Sequence, residues 1–123
     1  MRKRGRDGRW SYTCTVRRPE CKGQTIEVKT PLSRKDYEYL LNHTDPKHFP
    51  ILKIRRCFMY NNQSYALDIY RDPCHPRCKG LMLLETFTTL PSCNLKDALP
   101  PFLSISQEVT GDPAFSMFNL SLR

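Results

Sequence analysis

A chain of 123 residues supports one domain with a modest core. Its 20 lysines and arginines against 12 aspartates and glutamates give a net charge of +8, which points to an anionic partner or to a solubilising surface. No apolar run approaches the length of a membrane span, and the apolar stretch of a secretory signal does not follow Met1–Arg6, so the chain reads as soluble, intracellular and cytoplasmic.

In chain order, a short basic strand is expected at the start, followed by strands near 10–18 and 24–30. Ser33-Arg-Lys-Asp36 then has the pattern of a helix N-terminus, with Ser33 as cap and an acid three residues on. Tyr37, Leu40 and Leu41 follow at i, i+3 and i+4, an apolar stripe that should pack on the outside of a sheet. Residues 42–50 read as a loop. Further strands are expected near 51–60, 64–71 and 80–89, with Asn61-Asn62 as a tight hairpin turn between the first two. Residues 91–106 form a proline-interrupted connection, and Asp112-Pro113 can open a second helix, since Asp caps well and Pro suits the first turn. Phe102, Phe115 and Phe118 are expected to plug the core. The fold class is therefore α+β, dominated by antiparallel strands.

The informative feature is where charge falls within these strands. Lys53 and Arg55 lie on one face of their strand, because side chains alternate with period two. Asp68 stands alone in the apolar run 65–70, and Glu85 in the run 80–87. Charges in such positions pair with one another or hold a ligand. Cations on one strand and acids on the next two suggest a polar, strand-lined cavity. Since cations outnumber acids, its ligand should be an anion. The alternative for Asp68 and Glu85 is an internal ion pair with Lys53 or Arg55. For Glu27 it is an exposed pairing with Lys29 or another cation.

Six cysteines and three Asn-x-Ser/Thr sequons would suit a secreted disulfide framework, but no signal segment accompanies them. Cys14 and Cys57 read as small core or wall residues. Cys74-His-Pro-Arg-Cys78 is the one cluster with metal-ligand character. Zinc usually takes four ligands from two paired knuckles, and only one pair is present here. Cys21 or Cys93 would have to complete the set. Zinc is not expected, and a rigid turn between two strands is the preferred reading.

The strand pattern resembles the CYTH domain, or triphosphate tunnel fold, whose later strands read basic-x-Arg, then an Asp-bearing strand, then Gly-Leu-x-x-x-Glu. The close of the chain is similar to that of bacterial CYTH proteins, through Pro100-Pro-Phe-Leu103, Glu108-Val-Thr-Gly-Asp-Pro113 and Asn119-Leu120. Met1-Arg-Lys-Arg4 resembles the family's Leu-Arg-x-Arg strand, and Tyr12-Thr-Cys-Thr-Val-Arg17 its Thr-x-Lys strand. Within the superfamily, Asp72-Pro-Cys-His-Pro-Arg-Cys-Lys-Gly80 is most like the C-terminal domain of the TRPL translocation defect proteins. The resemblance implies a tunnel barrel of antiparallel strands with one or two packing helices, a single CYTH-like domain over residues 1–123. It further implies that Arg2, Arg4, Arg17, Lys53 and Arg55 grip phosphates, while Glu27, Asp68 and Glu85 hold Mg²⁺ or Mn²⁺. Phosphoryl chemistry uses both kinds of group, cations to offset charge and a metal to bridge oxygens.

Three departures bear on activity. The family's opening Glu-x-Glu-x-Lys strand would fall before residue 1, Glu85 is followed by Thr86 and Phe87 rather than by a second spaced acid, and no lysine follows Lys96. The expectation is an incomplete tunnel, a fragment or isoform of a longer protein, that binds a phosphoinositide headgroup, a nucleotide or polyphosphate, with peripheral membrane contact and a place in trafficking. The family's guanine-nucleotide site belongs to an N-terminal P-loop domain, and no Gly-x4-Gly-Lys-Ser/Thr occurs in this chain. The rival readings are a metal-dependent triphosphatase, which needs two carboxylates on one metal, and an RNA-binding basic segment with Trp10 and Tyr12 as stacking platforms. Nucleic acid is the least expected partner.

Overall fold

The computed structural model describes residues 1–19, 23–88 and 99–123. Its strands form two antiparallel sheets of three, and among the described residues no ladder joins them into a closed barrel. The chain divides into two compact units, Met1–Asp45 and Pro46–Arg123.

In the first unit, β1 (Arg2–Arg6), β2 (Arg9–Pro19) and β3 (Thr25–Leu32) lie in that order. Asp7 and Gly8 link β1 to β2 with φ of 52° and 76°, the left-handed pair that a two-residue type I′ turn requires. The turn sets Arg6 opposite Arg9, so Gly5 falls opposite Trp10. There the indole lies so close that a Cβ on Gly5 would stand 2.5 Å from its ring, and Lys3 Nζ covers the ring at 4.4 Å from its centroid.

Helix α1 (Arg34–Leu40) begins as its sequence predicts. The Ser33 hydroxyl accepts a hydrogen bond from the Asp36 amide at 3.1 Å, satisfying one of the orphan donors of the first turn. Tyr37 packs its ring on Tyr12 of β2, 4.9 Å between centroids. The expected stripe is shorter than its pattern: the α-helix ends at Leu40, and Leu41 opens a 3₁₀ turn and stays exposed. No described side chain in this unit is fully buried. It is a thin sheet, half covered by one short helix.

The second unit holds β4 (Lys53–Tyr60), β5 (Gln63–Tyr70) and β6 (Met82–Thr86) in that order. Asn61 and Asn62, at φ of 48° and 60°, make the expected hairpin turn. The link from β5 to β6 folds through a 3₁₀ turn at Pro76–Cys78, whose cap is His75: its Nδ1 accepts from the Arg77 amide at 3.2 Å. Tyr70, Cys78 and Leu120 form the core of the unit, with Phe49, Ile51, Cys74, Leu81 and Leu83 packed around it.

The expected second helix is divided. Asp112 caps only a 3₁₀ turn at Pro113–Phe115, and helix α2 (Met117–Leu120) starts afresh with Ser116 as its cap. Beyond it the chain returns to the loop before β4, where Phe49 N donates to Ser121 O at 2.8 Å and Arg123 N to Lys47 O at 2.9 Å. Two of the three expected core plugs lie at the surface instead. Phe102 is 66% exposed, although its ring meets Phe58 and Tyr60, and Phe118 is 68% exposed against His48. Phe102 lies in a connecting segment, and Phe118 stands on the solvent side of the four-residue helix α2.

Candidate functional site

The ladders decide which side chains share a face. In the first sheet, Arg2, Arg4 and Arg6 of β1 stand with Arg9, Ser11, Thr13, Thr15 and Arg17 of β2, and with Glu27 and Lys29 of β3. Six cations thus share one face with a single carboxylate. Glu27 is engaged within it: Arg17 Nε donates to its Oε2 at 3.2 Å, and Lys29 Nζ lies 3.5 Å from Oε1. The hydrogen bond from Arg17 holds the Glu27 carboxyl below its ordinary range. Arg2, Arg4 and Arg9 form no ion pair with any described residue, and Arg6 meets only its neighbour Asp7, at 3.8 Å. Alternate residues on a strand are roughly 7 Å apart and cross-strand neighbours roughly 5 Å. The face is therefore a lattice of guanidinium groups with hydroxyls between them. Guanidinium groups suit phosphate because their paired N–H donors meet two oxygens at once.

The reverse face carries Trp10, Tyr12, Cys14 and Val16 of β2 with Ile26 and Val28 of β3, and two cations, Lys3 and Arg18. It is largely apolar, and the two aromatic residues nearest the basic segment lie on it. Arg6, Arg9 and Lys29 were not expected to belong to the cationic face. The signal that places Arg6 and Arg9 there is Asp7-Gly8, which fixes the hairpin and hence the parity of every residue on either side.

The second sheet treats its charges differently. Its turn at Asn61-Asn62 sets Arg55 opposite Asp68. Arg55 Nε donates to Asp68 Oδ1 at 2.7 Å and its Nη2 to Oδ2 at 2.9 Å, a bidentate fork. Lys53 Nζ adds a third bond to Oδ2 at 2.7 Å. Glu85 of β6 reaches the same guanidinium, its Oε2 lying 3.6 Å from Arg55 Nη2. Asp68 is 1% exposed and is the one buried charged residue among those described. Burial pushes its carboxyl up, but the hydrogen bonds from Arg55 and Lys53 outweigh that and hold it below its usual value. The bond to Asp68 raises the Arg55 guanidinium in turn. From α2, the Met117 sulfur closes the cluster at 3.9 Å from Lys53 Nζ and 3.7 Å from the Tyr70 hydroxyl.

All four charged residues expected in this region are thus brought together, but on one another: two cations and two acids with no net charge. No protein-family model, curated protein or solved structure matches this chain. The site must be judged on its own chemistry.

Metal binding was expected at Glu27, Asp68 and Glu85. Among the described residues no three His, Cys, Asp or Glu side chains gather into a metal-holding group. Both oxygens of Asp68 are taken by cationic donors, and Glu27 accepts from Arg17 and faces Lys29. These side chains, as placed, do not fit a divalent ion. In the 72–78 segment the thiols diverge. Cys74 Sγ donates to Asp72 Oδ1 at 3.2 Å, while buried Cys78 turns toward the Leu120 carbonyl at 3.6 Å. Cys21 and Cys93, which would have completed a zinc set, lie outside the described residues. Cys57, expected as a small core or wall residue, is exposed, on the face of β4 that carries Lys53 and Arg55. No described helix is long and apolar enough to cross a membrane.

Proposed function

We propose that this chain captures a polyphosphorylated anion, such as an inositol phosphate headgroup, a nucleotide or inorganic polyphosphate, on the basic face of β1–β3, which serves as one wall of a triphosphate-tunnel type of site. The observation that carries the reading is the excess on that face of six cations over one carboxylate, three of the cations having no ion-pair partner among the described residues. Arg2, Arg4 and Arg17 keep the phosphate-binding role that the CYTH resemblance gave them, and Arg6, Arg9 and Lys29 join them. Lys53 and Arg55 are given no part in this anion site, since their charge is already engaged by Asp68.

A catalytic role for Asp68 and Glu85 has less support, because both carboxylates are engaged by cations rather than open to a metal. An RNA-binding role also has less support. The Trp10 face offers only Lys3 and Arg18 beside its aromatic rings, while the larger set of cations lies on the opposite face.

The reading is tested by calorimetric titration of the purified chain with tripolyphosphate and with inositol hexakisphosphate. An Arg2→Glu/Arg4→Glu variant should bind at least about tenfold more weakly, a loss of roughly 1.4 kcal/mol. A control variant, Lys35→Glu/Lys79→Glu, makes the same change in net charge at exposed positions off this face and should bind within about twofold of wild type. Equal weakening by both variants would mean that only overall charge matters, and the assigned face would be abandoned.

A further inference from the structure

We infer that Arg55 is the resident cation of the Asp68–Glu85 pair, occupying the place where a triphosphate-processing site would hold Mg²⁺ or Mn²⁺, so that these carboxylates take no divalent ion while Arg55 is present. The guanidinium spans both acids, forking onto the two oxygens of Asp68 at 2.7 and 2.9 Å and reaching Glu85 at 3.6 Å. One delocalised positive charge between two carboxylates relieves their mutual repulsion, as a bridging metal would. Lys53 reinforces the exclusion by holding Asp68 Oδ2 at 2.7 Å.

A divalent ion of this class needs oxygen ligands at about 2.1 Å and keeps several of its waters. Asp68, at 1% exposure, has no open side for that water shell. Nor can a change of pH clear the way, because an arginine does not deprotonate in a protein and its bond to Asp68 raises it further. Lys53 and Arg55 side chains are only 23% and 33% exposed, while Glu85 at 61% lies on the solvent side, so an ion exchanged for Arg55 at Asp68 would have to be partly desolvated. The inference concerns the ion cluster alone and stands whether or not β1–β3 binds phosphate.

Titration of Mn²⁺ into the full chain, followed by the electron paramagnetic resonance signal of the free ion, tests it. Wild type should leave that signal undiminished. Arg55→Gln, which keeps much of the side-chain stem but removes the charge, should take up a stoichiometric amount of Mn²⁺, and adding Glu85→Gln should abolish the uptake. Thermal melts followed by circular dichroism identify which variants are folded. Uptake by wild type that is lost in Glu85→Gln would overturn the inference without need of any Arg55 variant. A folded Arg55→Gln chain that gains no Mn²⁺ would overturn it equally. Tripolyphosphate titrated in excess chelator and then in Mg²⁺ separates this claim from the proposed function. Similar affinity in both fits a metal-free site, no binding in either defeats the proposed function alone, and binding that needs Mg²⁺ and is lost in Glu85→Gln defeats the inference.

Discussion

The two sheets share strand number, antiparallel order and a two-residue left-handed turn in their first hairpin, yet they dispose of positive charge in opposite ways. On β1–β3, Arg2, Arg4 and Arg9 stand exposed without an ion-pair partner among the described residues, on a unit that buries no described side chain completely. On β4–β6, Lys53 and Arg55 close on a buried Asp68 beside a core of Tyr70, Cys78 and Leu120. The same basic-x-basic strand pattern therefore has two meanings. What separates them is the residue that the turn places across the ladder. Opposite Arg4 and Arg2 stand Ser11 and Thr13, which cannot neutralise them; opposite Arg55 stands Asp68, which does. Cations with no acid across the ladder remain available to a ligand, and cations with a buried one become part of the fold.

The largest expected effect breaks the second half of that comparison. Asp68→Ala leaves Lys53 and Arg55 part-buried without their shared acid, and should lower the free energy of unfolding by about 3 kcal/mol. Urea denaturation measures it, and a loss below about 1 kcal/mol would reduce the cluster to a surface ion pair. Next comes the first half. Arg2→Glu/Arg4→Glu should cost about tenfold in tripolyphosphate affinity while moving the urea midpoint hardly at all, since neither side chain is packed. A destabilised Arg2/Arg4 variant would show that these arginines, like Arg55, are structural.

The pH limits of stability sharpen the contrast, because the groups involved lie in the second unit. Burial pushes the Tyr70 phenol up to about 12 from 10.0. Because the folded value is the higher, the stabilisation is complete below pH 10 and is lost as pH rises through about 12. Asp68 acts at the other extreme: its folded value is depressed, so its contribution is complete above the ordinary carboxylate range and is lost as pH falls through the folded value. Tyr70→Phe should flatten the alkaline limb of unfolding measured against pH, and an unchanged limb would contradict the assignment. The smallest effect belongs to helix α1, where Ser33→Ala should cost about 1 kcal/mol through loss of the bond to the Asp36 amide. Loss of helical circular dichroism signal on heating would report it.

How far these outcomes could be read from the sequence depended on whether the signal was local. The Ser33 cap and the Asn61-Asn62 turn are written in a few adjacent residues, and both formed as expected. Asp7-Gly8 is an equally local signal, and reading it as a hairpin would have placed Arg6 and Arg9 beside Arg4. The neutralisation of Arg55 was also within reach. A two-residue turn at 61–62 sets Tyr60 opposite Gln63, and stepping back five places along each strand lands Arg55 opposite Asp68. Alternation alone named the face but not the partner. Burial was the least legible property. Phe102 and Phe118 look like core residues by type, but Phe102 lies in a connecting segment and Phe118 on the open side of a four-residue helix. Leu41 fits the helical stripe by spacing, yet the helix stops one residue before it.

The most direct test of the account follows the arginine side chains themselves. In a ¹⁵N-resolved NMR titration of the chain with tripolyphosphate, the Nε–H resonances of Arg2, Arg4 and Arg9 should shift progressively with ligand. That of Arg55 should stay where it is, held by its bond to Asp68. Movement of the Arg55 resonance together with stationary resonances for Arg2, Arg4 and Arg9 would contradict the account and return the anion site to the second sheet.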